Sequence, residues 1–164
     1  MRNSVLAALL LFIMFTGSNC IKSNTCSPQS VSSEAPQIQA FATSSGINAI
    51  PHSSGLYYEI IDPGTGDTPT LSSRIVITYT GTLLNGMVFD QRLTPNNTEP
   101  TGSNAPWALS DLVEAWRIGI PLVKKGGHIK LIVPSAMGYG CTGYGSIPGN
   151  AILYFDINLV DVLP

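Results

Sequence analysis

The sequence predicts an α+β domain, an antiparallel twisted sheet wrapped around one short helix. Three observations lead there. From residue 55 onward strand-like segments outnumber helical ones. Their connections are short, hairpin-type turns. A single stretch, residues 110–119, carries helix-start residues followed by an apolar face. The 164 residues suffice for one such domain plus an extension, and 44% hydrophobic against 11% charged residues suit a packed core.

Residues 1–19 read as a signal peptide. Arg2 gives a positive start and Val5–Phe15 is an unbroken apolar run. That run is too short for a bilayer-spanning helix of ~20 residues and suits a secretory core of ~7–15. Thr16-Gly17-Ser18-Asn19 then leads to Cys20, which looks like a bacterial lipobox whose thiol takes lipid, although Asn19 stands where Gly, Ala or Ser is usual. The expected partner is therefore a membrane, through a lipid anchor, and the expected place is the cell envelope, periplasmic or outer-membrane. Plain secretion and an uncleaved anchor are the other readings. Removing Arg2 with the leader takes the formal charge from −2 to −3.

Residues 20–54 read as a flexible tether. Ser, Thr, Gln, Asn and Pro dominate, Lys22 and Glu34 are its charges, and such a composition buries too little apolar surface to offset the entropy of ordering. The mildly apolar pieces 37–42 and 46–50 either dock on the domain or lead into its first strand. Once Cys20 is set aside, Cys26 and Cys141 remain of the three cysteines. An exported chain can oxidise them to a bridge. With Cys26 in a tail and Cys141 in a Gly-rich loop, nothing in the sequence brings them together, and unpaired thiols are the simpler expectation.

The domain occupies residues 55–164. Residues 56–61 read as a strand closed by the turn Asp62-Pro63-Gly64. Residues 74–84 are β-branched and alternating, with Ile75, Ile77 and Tyr79 on one face and Val76, Thr78 and Thr80 on the other. Asn85-Gly86 is a two-residue hairpin turn, and residues 87–90 return antiparallel. Residues 94–106 are a polar loop, in which Asn96-Asn97-Thr98 matches a glycosylation sequon of the kind such loops produce by chance. Ser110 is the expected N-cap and Asp111 suits the first turn, with Leu112, Val113 and Trp116 on one helical face ending near Gly119. Gly126-Gly127 turns the chain into a strand over 129–133. A loop over 134–145 follows, and a long final strand runs over 151–163 with both faces apolar.

Composition excludes some functions. The Lys and Arg residues form no stripe, so no nucleic-acid partner is expected, and Lys124-Lys125 reads as a solvated turn. No His or Cys spacing points to zinc, and no cofactor is expected. His52 and His128 show no ligand or base pattern.

Six short phrases carry the functional signal. They are Tyr79-Thr80-Gly81, Val88-Phe89-Asp90, Leu112-Val113-Glu114-Ala115-Trp116, Gly138-Tyr139-Gly140, Ile147-Pro148-Gly149-Asn150, and the run Ala151 to Asp156 ending in Tyr154-Phe155-Asp156. Taken one at a time, aromatics in strands are usually core. In this order and spacing, over about two thirds of the chain, they resemble the FKBP-type peptidyl-prolyl cis-trans isomerases. The resemblance implies a sheet around one helix and a bowl of aromatics that grips a prolyl ring. It implies Trp116 as floor, Tyr79, Phe89, Phe155 and Trp107 as walls, and Val113 as an aliphatic wall. Asp90 would pair with Tyr79 and face the twisting amide, and the Tyr139 hydroxyl would bind a substrate carbonyl. The Ile147 backbone N–H would hold the substrate chain, with Tyr144 on the rim. Implied partners are proline-containing polypeptides and macrolide inhibitors of the pocket. The phrases depart from the family where Ala115 replaces a usual Gly and where Gly149, replacing a common Pro, leaves the loop tip freer. A low-turnover chaperone or binding module on the same fold is the alternative function.

Overall fold

The computed structural model describes residues 26–96 and 104–164. The expected leader and Cys20 lie outside them, as does most of the polar loop after Thr94. Among the described residues no helix is long and apolar enough to cross a membrane.

The core of the fold is a seven-stranded antiparallel sheet. Its strands are β1 (Ile50–Pro51), β2 (Tyr57–Asp62), β3 (Arg74–Leu83), β4 (Val88–Arg92), β5 (Trp107–Ala108), β6 (His128–Val133) and β7 (Leu153–Leu163). The spatial order is β1-β2-β6-β7-β3-β4, with β5 also pairing with β3. Alternation in β3 dictates its two faces: Ile75, Ile77, Tyr79 and Leu83 are buried, while Thr78, Thr80 and Thr82 are half-buried. In β7, Leu153, Phe155, Ile157 and Leu159 point into the same core. The opposite face of β7 carries Asp156, Asn158 and Val160, so it is not apolar along its length as expected. The sheet packs its concave face around the short helix α2 (Glu114–Gly119), whose Ala115 and Trp116 are buried among Ile77, Leu131 and Ile157. This is the predicted α+β architecture.

The helix starts later than its sequence signals. Leu109–Asp111 form a separate 3₁₀ turn, and the Ser110 hydroxyl bonds the Asp111 carboxylate at 3.1 Å instead of capping α2. Val113 is the N-cap, with no side-chain bond, and its carbonyl accepts the N–H of Trp116 at 2.9 Å. An extended Val113 at this boundary leaves Trp116 in the first turn of the helix, facing the sheet.

The largest departure is the extension. Residues 31–44, expected within a flexible tether, form the helix α1 (Val31–Ser44). Ser30 caps it by accepting the N–H of Ser33 at 3.2 Å. Glu34, Ile38 and Ala42 fall at spacing four and are buried on one face. Ile38, Ala42 and Ile47 pack with Ile132 and Ile152 on the convex side of the sheet, and Phe41 meets Tyr154 at 5.5 Å between ring centroids. Polar composition argued against a helix because propensity is weak here; burial of a few well-spaced apolar side chains overrides it. The expectation of unpaired thiols is likewise overturned. Cys26 and Cys141 form a disulfide, with Cα atoms 5.4 Å apart, because docking of α1 brings the tail to the loop.

The sequon residue Asn96 is structural. It is buried, its Oδ1 accepts the Ile77 N–H at 2.8 Å, and its Nδ2 donates to the carbonyls of Ile75 at 3.0 Å and Ala105 at 3.2 Å. One side chain thus satisfies the backbone of β3 where strand pairing stops.

Candidate active site

Trp116 is fixed in the first turn of α2, and its ring is the centre of an aromatic cluster. Tyr79 from β3 meets it edge-on at 5.0 Å between centroids and 84°, and Phe155 from β7 does the same at 5.1 Å and 82°. Phe89 from β4 meets Phe155 at 5.5 Å and 88°. Trp107 from β5 lies 5.9 Å from Tyr79 and 6.4 Å from Trp116. The perpendicular pairs are the preferred geometry of aromatic quadrupoles. They hold three walls upright around one cavity of about 150 Å³. That is room for a single side chain, far below the ~300–1,000 Å³ of a drug-sized site. Tyr79, Phe89, Asp90, Trp107, Val113, Trp116, Tyr139 and Phe155 all line it, together with Leu112.

A β-bulge lets two consecutive residues face this cavity. In β3–β4 pairing, Gly81 opposes Asp90 and Thr82 opposes Val88, so Phe89 is the extra residue. In a regular strand Phe89 and Asp90 would point to opposite faces; the bulge re-aims one of them. Gly81 makes the approach possible. A Cβ there would stand 2.7 Å from Phe89 and 2.9 Å from Phe155, so only a glycine lets both walls close.

The lip of the cavity is polar and tightly held. The Tyr79 hydroxyl donates to Asp90 Oδ2 at 2.5 Å, and the Gln91 N–H donates to Asp90 Oδ1 at 2.8 Å. Burial, reinforced by the Asp90 hydrogen bond and charge, pushes the Tyr79 hydroxyl far above the ordinary tyrosine value. Tyr139 is raised in the same way, by burial first and then by the Asp90 charge. Both hydroxyls therefore stay protonated, as donors, across the neutral and moderately alkaline range. The Arg92 guanidinium lies 5.1 Å over the Trp107 ring, a cation–π contact that steadies the outer wall. Among the described residues, the buried indole N–H of Trp116 has no hydrogen-bond partner.

Tyr144 and Ile147 do not line the aromatic cavity. They border an adjoining hollow of about 170 Å³, together with Phe89, Asp90 and Tyr139. Tyr144 is 71% exposed and stacks on Tyr139 at 5.5 Å and 15°. The Ile147 N–H, expected to hold a substrate chain, instead donates to the Tyr144 carbonyl at 2.8 Å, closing a tight loop. Nor is Gly149 a looser tip: a Cβ on it would collide with the Cys141 carbonyl, so the backbone there is pressed against the disulfide-bonded residue. Leu112 and Gly81 carry no role in the sequence expectation. Leu112 was legible only as a helix-face residue, and Gly81 only as part of the phrase Tyr79-Thr80-Gly81. Among the described residues no group of three or more His, Cys, Asp or Glu side chains could hold a metal ion.

Comparison with known proteins agrees with this geometry. Residues 66–160 match the profile of the FKBP-type peptidyl-prolyl cis-trans isomerases. The chain is 36% identical over 126 residues to the FKBP-type peptidyl-prolyl cis-trans isomerase FkpA of Escherichia coli K12, covering 77% of this chain and 44% of that protein. It is 39% identical over 112 residues to a probable FKBP-type isomerase of Haemophilus influenzae, covering 68% and 44%. The crystal structure of Escherichia coli FkpA superposes with a TM-score of 0.68 at 33% identity, over 81% of this chain and 59% of that one. The chain thus spans 44% of the length of the two sequence relatives and 59% of the crystallised one, and the profile-matched residues 66–160 hold the whole aromatic cluster. On that match, with the cavity in place, the chain belongs to the FKBP-type peptidyl-prolyl cis-trans isomerase family.

Proposed function

We propose that this chain is a peptidyl-prolyl cis-trans isomerase that rotates X-Pro bonds in exported proteins without covalent chemistry. The observation that carries the reading is the cavity floored by Trp116 and walled by Tyr79, Phe89 and Phe155, with Asp90 locked at its lip. Its size suits one pyrrolidine ring.

The X-Pro bond rotates over a barrier of ~18–20 kcal/mol, in tens to hundreds of seconds unaided. In the twisted transition state the amide loses resonance and its carbonyl becomes less polar. A dry apolar cavity therefore favours the twisted form over the planar one. The aromatic walls hold the ring while the preceding carbonyl turns. Asp90, immobilised by Tyr79 and by the Gln91 N–H, presents a fixed negative charge to the turning amide. The Tyr139 hydroxyl, kept protonated by burial and by Asp90, donates to a substrate carbonyl and fixes the chain. The engaged Ile147 N–H takes no part in this scheme; its side chain and the exposed Tyr144 border the path of the flanking residues. A rate gain of ~10⁶ requires about 8 kcal/mol of preferential transition-state binding. Orientation and exclusion of water share it.

Macrolides that fill such a bowl compete with substrate in this reading. The leader over residues 1–19 directs export and Cys20 carries lipid, so the domain works at a membrane surface of the cell envelope. Mass spectrometry of the mature N-terminus tests this part: an acylated Cys20 supports it, and an unmodified N-terminus elsewhere contradicts it. The enzymatic part is tested by proline-limited refolding of an exported client. Wild-type protein accelerates the slow phase and Asp90→Leu loses about tenfold to a hundredfold of that effect with its fold intact. A wild type that suppresses aggregation of proline-free clients and leaves the slow phase untouched is a chaperone module instead.

A further inference from the structure

The loop from Ser135 to Asn150 carries Tyr139, Tyr144 and Ile147, and the ties that hold its two ends lead to one short segment of the extension. At its start, Glu34 of α1 is a carboxylate 6% exposed. Its Oε2 accepts the Ser135 N–H at 2.9 Å and its Oε1 accepts the Ser135 hydroxyl at 2.6 Å, across 101 residues of sequence. Charge-assisted bonds of this length are the strong kind, and they satisfy a group whose burial is otherwise unfavourable. The Ser135 carbonyl in turn accepts the N–H of Gly138 at 3.1 Å and of Gly140 at 2.8 Å. Gly138 and Gly140 are the two residues that flank Tyr139.

At its end, the Asn150 N–H donates to the Gly140 carbonyl at 2.8 Å. Asn150 has φ of 57°, alone among the described non-glycine residues in the left-handed region. Its side chain reaches back to the extension, where Oδ1 accepts the Gln29 N–H at 3.3 Å and Nδ2 donates to the Ser27 carbonyl at 3.1 Å. Between the two, Cys141 is bonded to Cys26. Residues 26–34 therefore grip the loop at Ser135, Cys141 and Asn150, on both sides of Tyr139.

We infer that residues 26–34 form a clamp that sets the catalytic loop, and that Glu34 is a positioning residue acting through Ser135 on Tyr139. The inference rests on the isomerase reading above. A hydroxyl donor works only when held to a fraction of an ångström, and the loop has little regular structure to hold it. Glu34 does not line the aromatic cavity and its carboxylate bonds Ser135, so its effect on turnover passes through the loop.

The test uses the full, oxidised chain and an X-Pro tetrapeptide, well below the melting temperature. Glu34→Ala loses both bonds and lowers kcat/KM about fivefold or more, as expected for residues sharing one network. Glu34→Gln can accept the Ser135 N–H and donate to its Oγ, and so restores kcat/KM to within about twofold. In a Tyr139→Phe background, Glu34→Ala costs much less than in wild type, because the donor it positions is gone. The NMR ring signals of Tyr139 shift in Glu34→Ala and return in Glu34→Gln, a readout that needs no turnover. Should Glu34→Ala not fold, Cys26→Ser is expected to move the same signals and lower kcat/KM in the same direction. An undisturbed Tyr139 ring, or equal losses from Glu34→Ala in both backgrounds, overturns the inference. A folded wild type without turnover, by contrast, contradicts the isomerase reading itself.

Discussion

A carboxylate beside an apolar bowl is useful only when its direction is fixed, and Tyr79 fixes it. The 2.5 Å bond from the Tyr79 hydroxyl to Asp90 joins a core-facing residue of β3 to a bulged residue pair of β4. The same contact ties stability to pH. The folded-state values of Tyr79, Tyr139 and Tyr154 are all raised, for each of them by burial first and then by a nearby carboxylate. A raised folded value contributes stability that is complete below the unfolded tyrosine value of ~10 and is lost as pH rises toward the folded values. Urea titrations are expected to be flat from pH 8 to about 9.5 and to fall steeply above 10, with a shallower fall in Tyr79→Phe. At the neighbouring Gly81, Gly81→Ala is expected to cost about 1–3 kcal/mol by overpacking and to lower turnover by more than about tenfold, since both Phe89 and Phe155 must move. Measured kcat/KM equal to wild type would show that the walls tolerate displacement.

At the scale of elements, strands were far more legible than docking. β3 announced itself by alternation of β-branched residues, and the turn at Asn85-Gly86 by its hairpin chemistry. The helix α2 was legible in its apolar face, but its start was not. Ser110 is a good cap by type, yet the chain spends it in a 3₁₀ turn and lets Val113 begin the helix. The bulge at Phe89 was illegible because one inserted residue leaves no local signal. α1 had a readable stripe in Glu34, Ile38 and Ala42, masked by Ser, Pro and Gln around it. Its stability comes from the surface it covers, so Ile38→Ala is expected to cost about 2–5 kcal/mol in chemical denaturation. Far-ultraviolet circular dichroism should show α1 retained until the whole domain unfolds. A separate early helix transition would mean that α1 is only loosely attached.

For the molecule as a whole, the sheet is covered on both faces, by α2 within its curve and by α1 outside. The aromatic bowl opens where β3, β4, β7 and the start of α2 meet. Its residues were legible together because each stands in a short local phrase, so order and spacing alone could carry the family resemblance. The disulfide and the Glu34–Ser135 bond were not legible, since each joins positions more than a hundred residues apart and neither partner has a local pattern that names the other. A bridge closing so long a segment stabilises by about 4–5 kcal/mol in the chain-entropy account. The central claim is that the bowl around Trp116 catalyses prolyl isomerisation. A protease-coupled assay of an X-Pro tetrapeptide tests it most directly, run with folded wild type and with Phe155→Ala. The expected result is strong acceleration by wild type, suppressed by a pocket-filling macrolide and reduced at least about tenfold in Phe155→Ala. An uncatalysed rate with folded wild type, or full activity in Phe155→Ala, would contradict it.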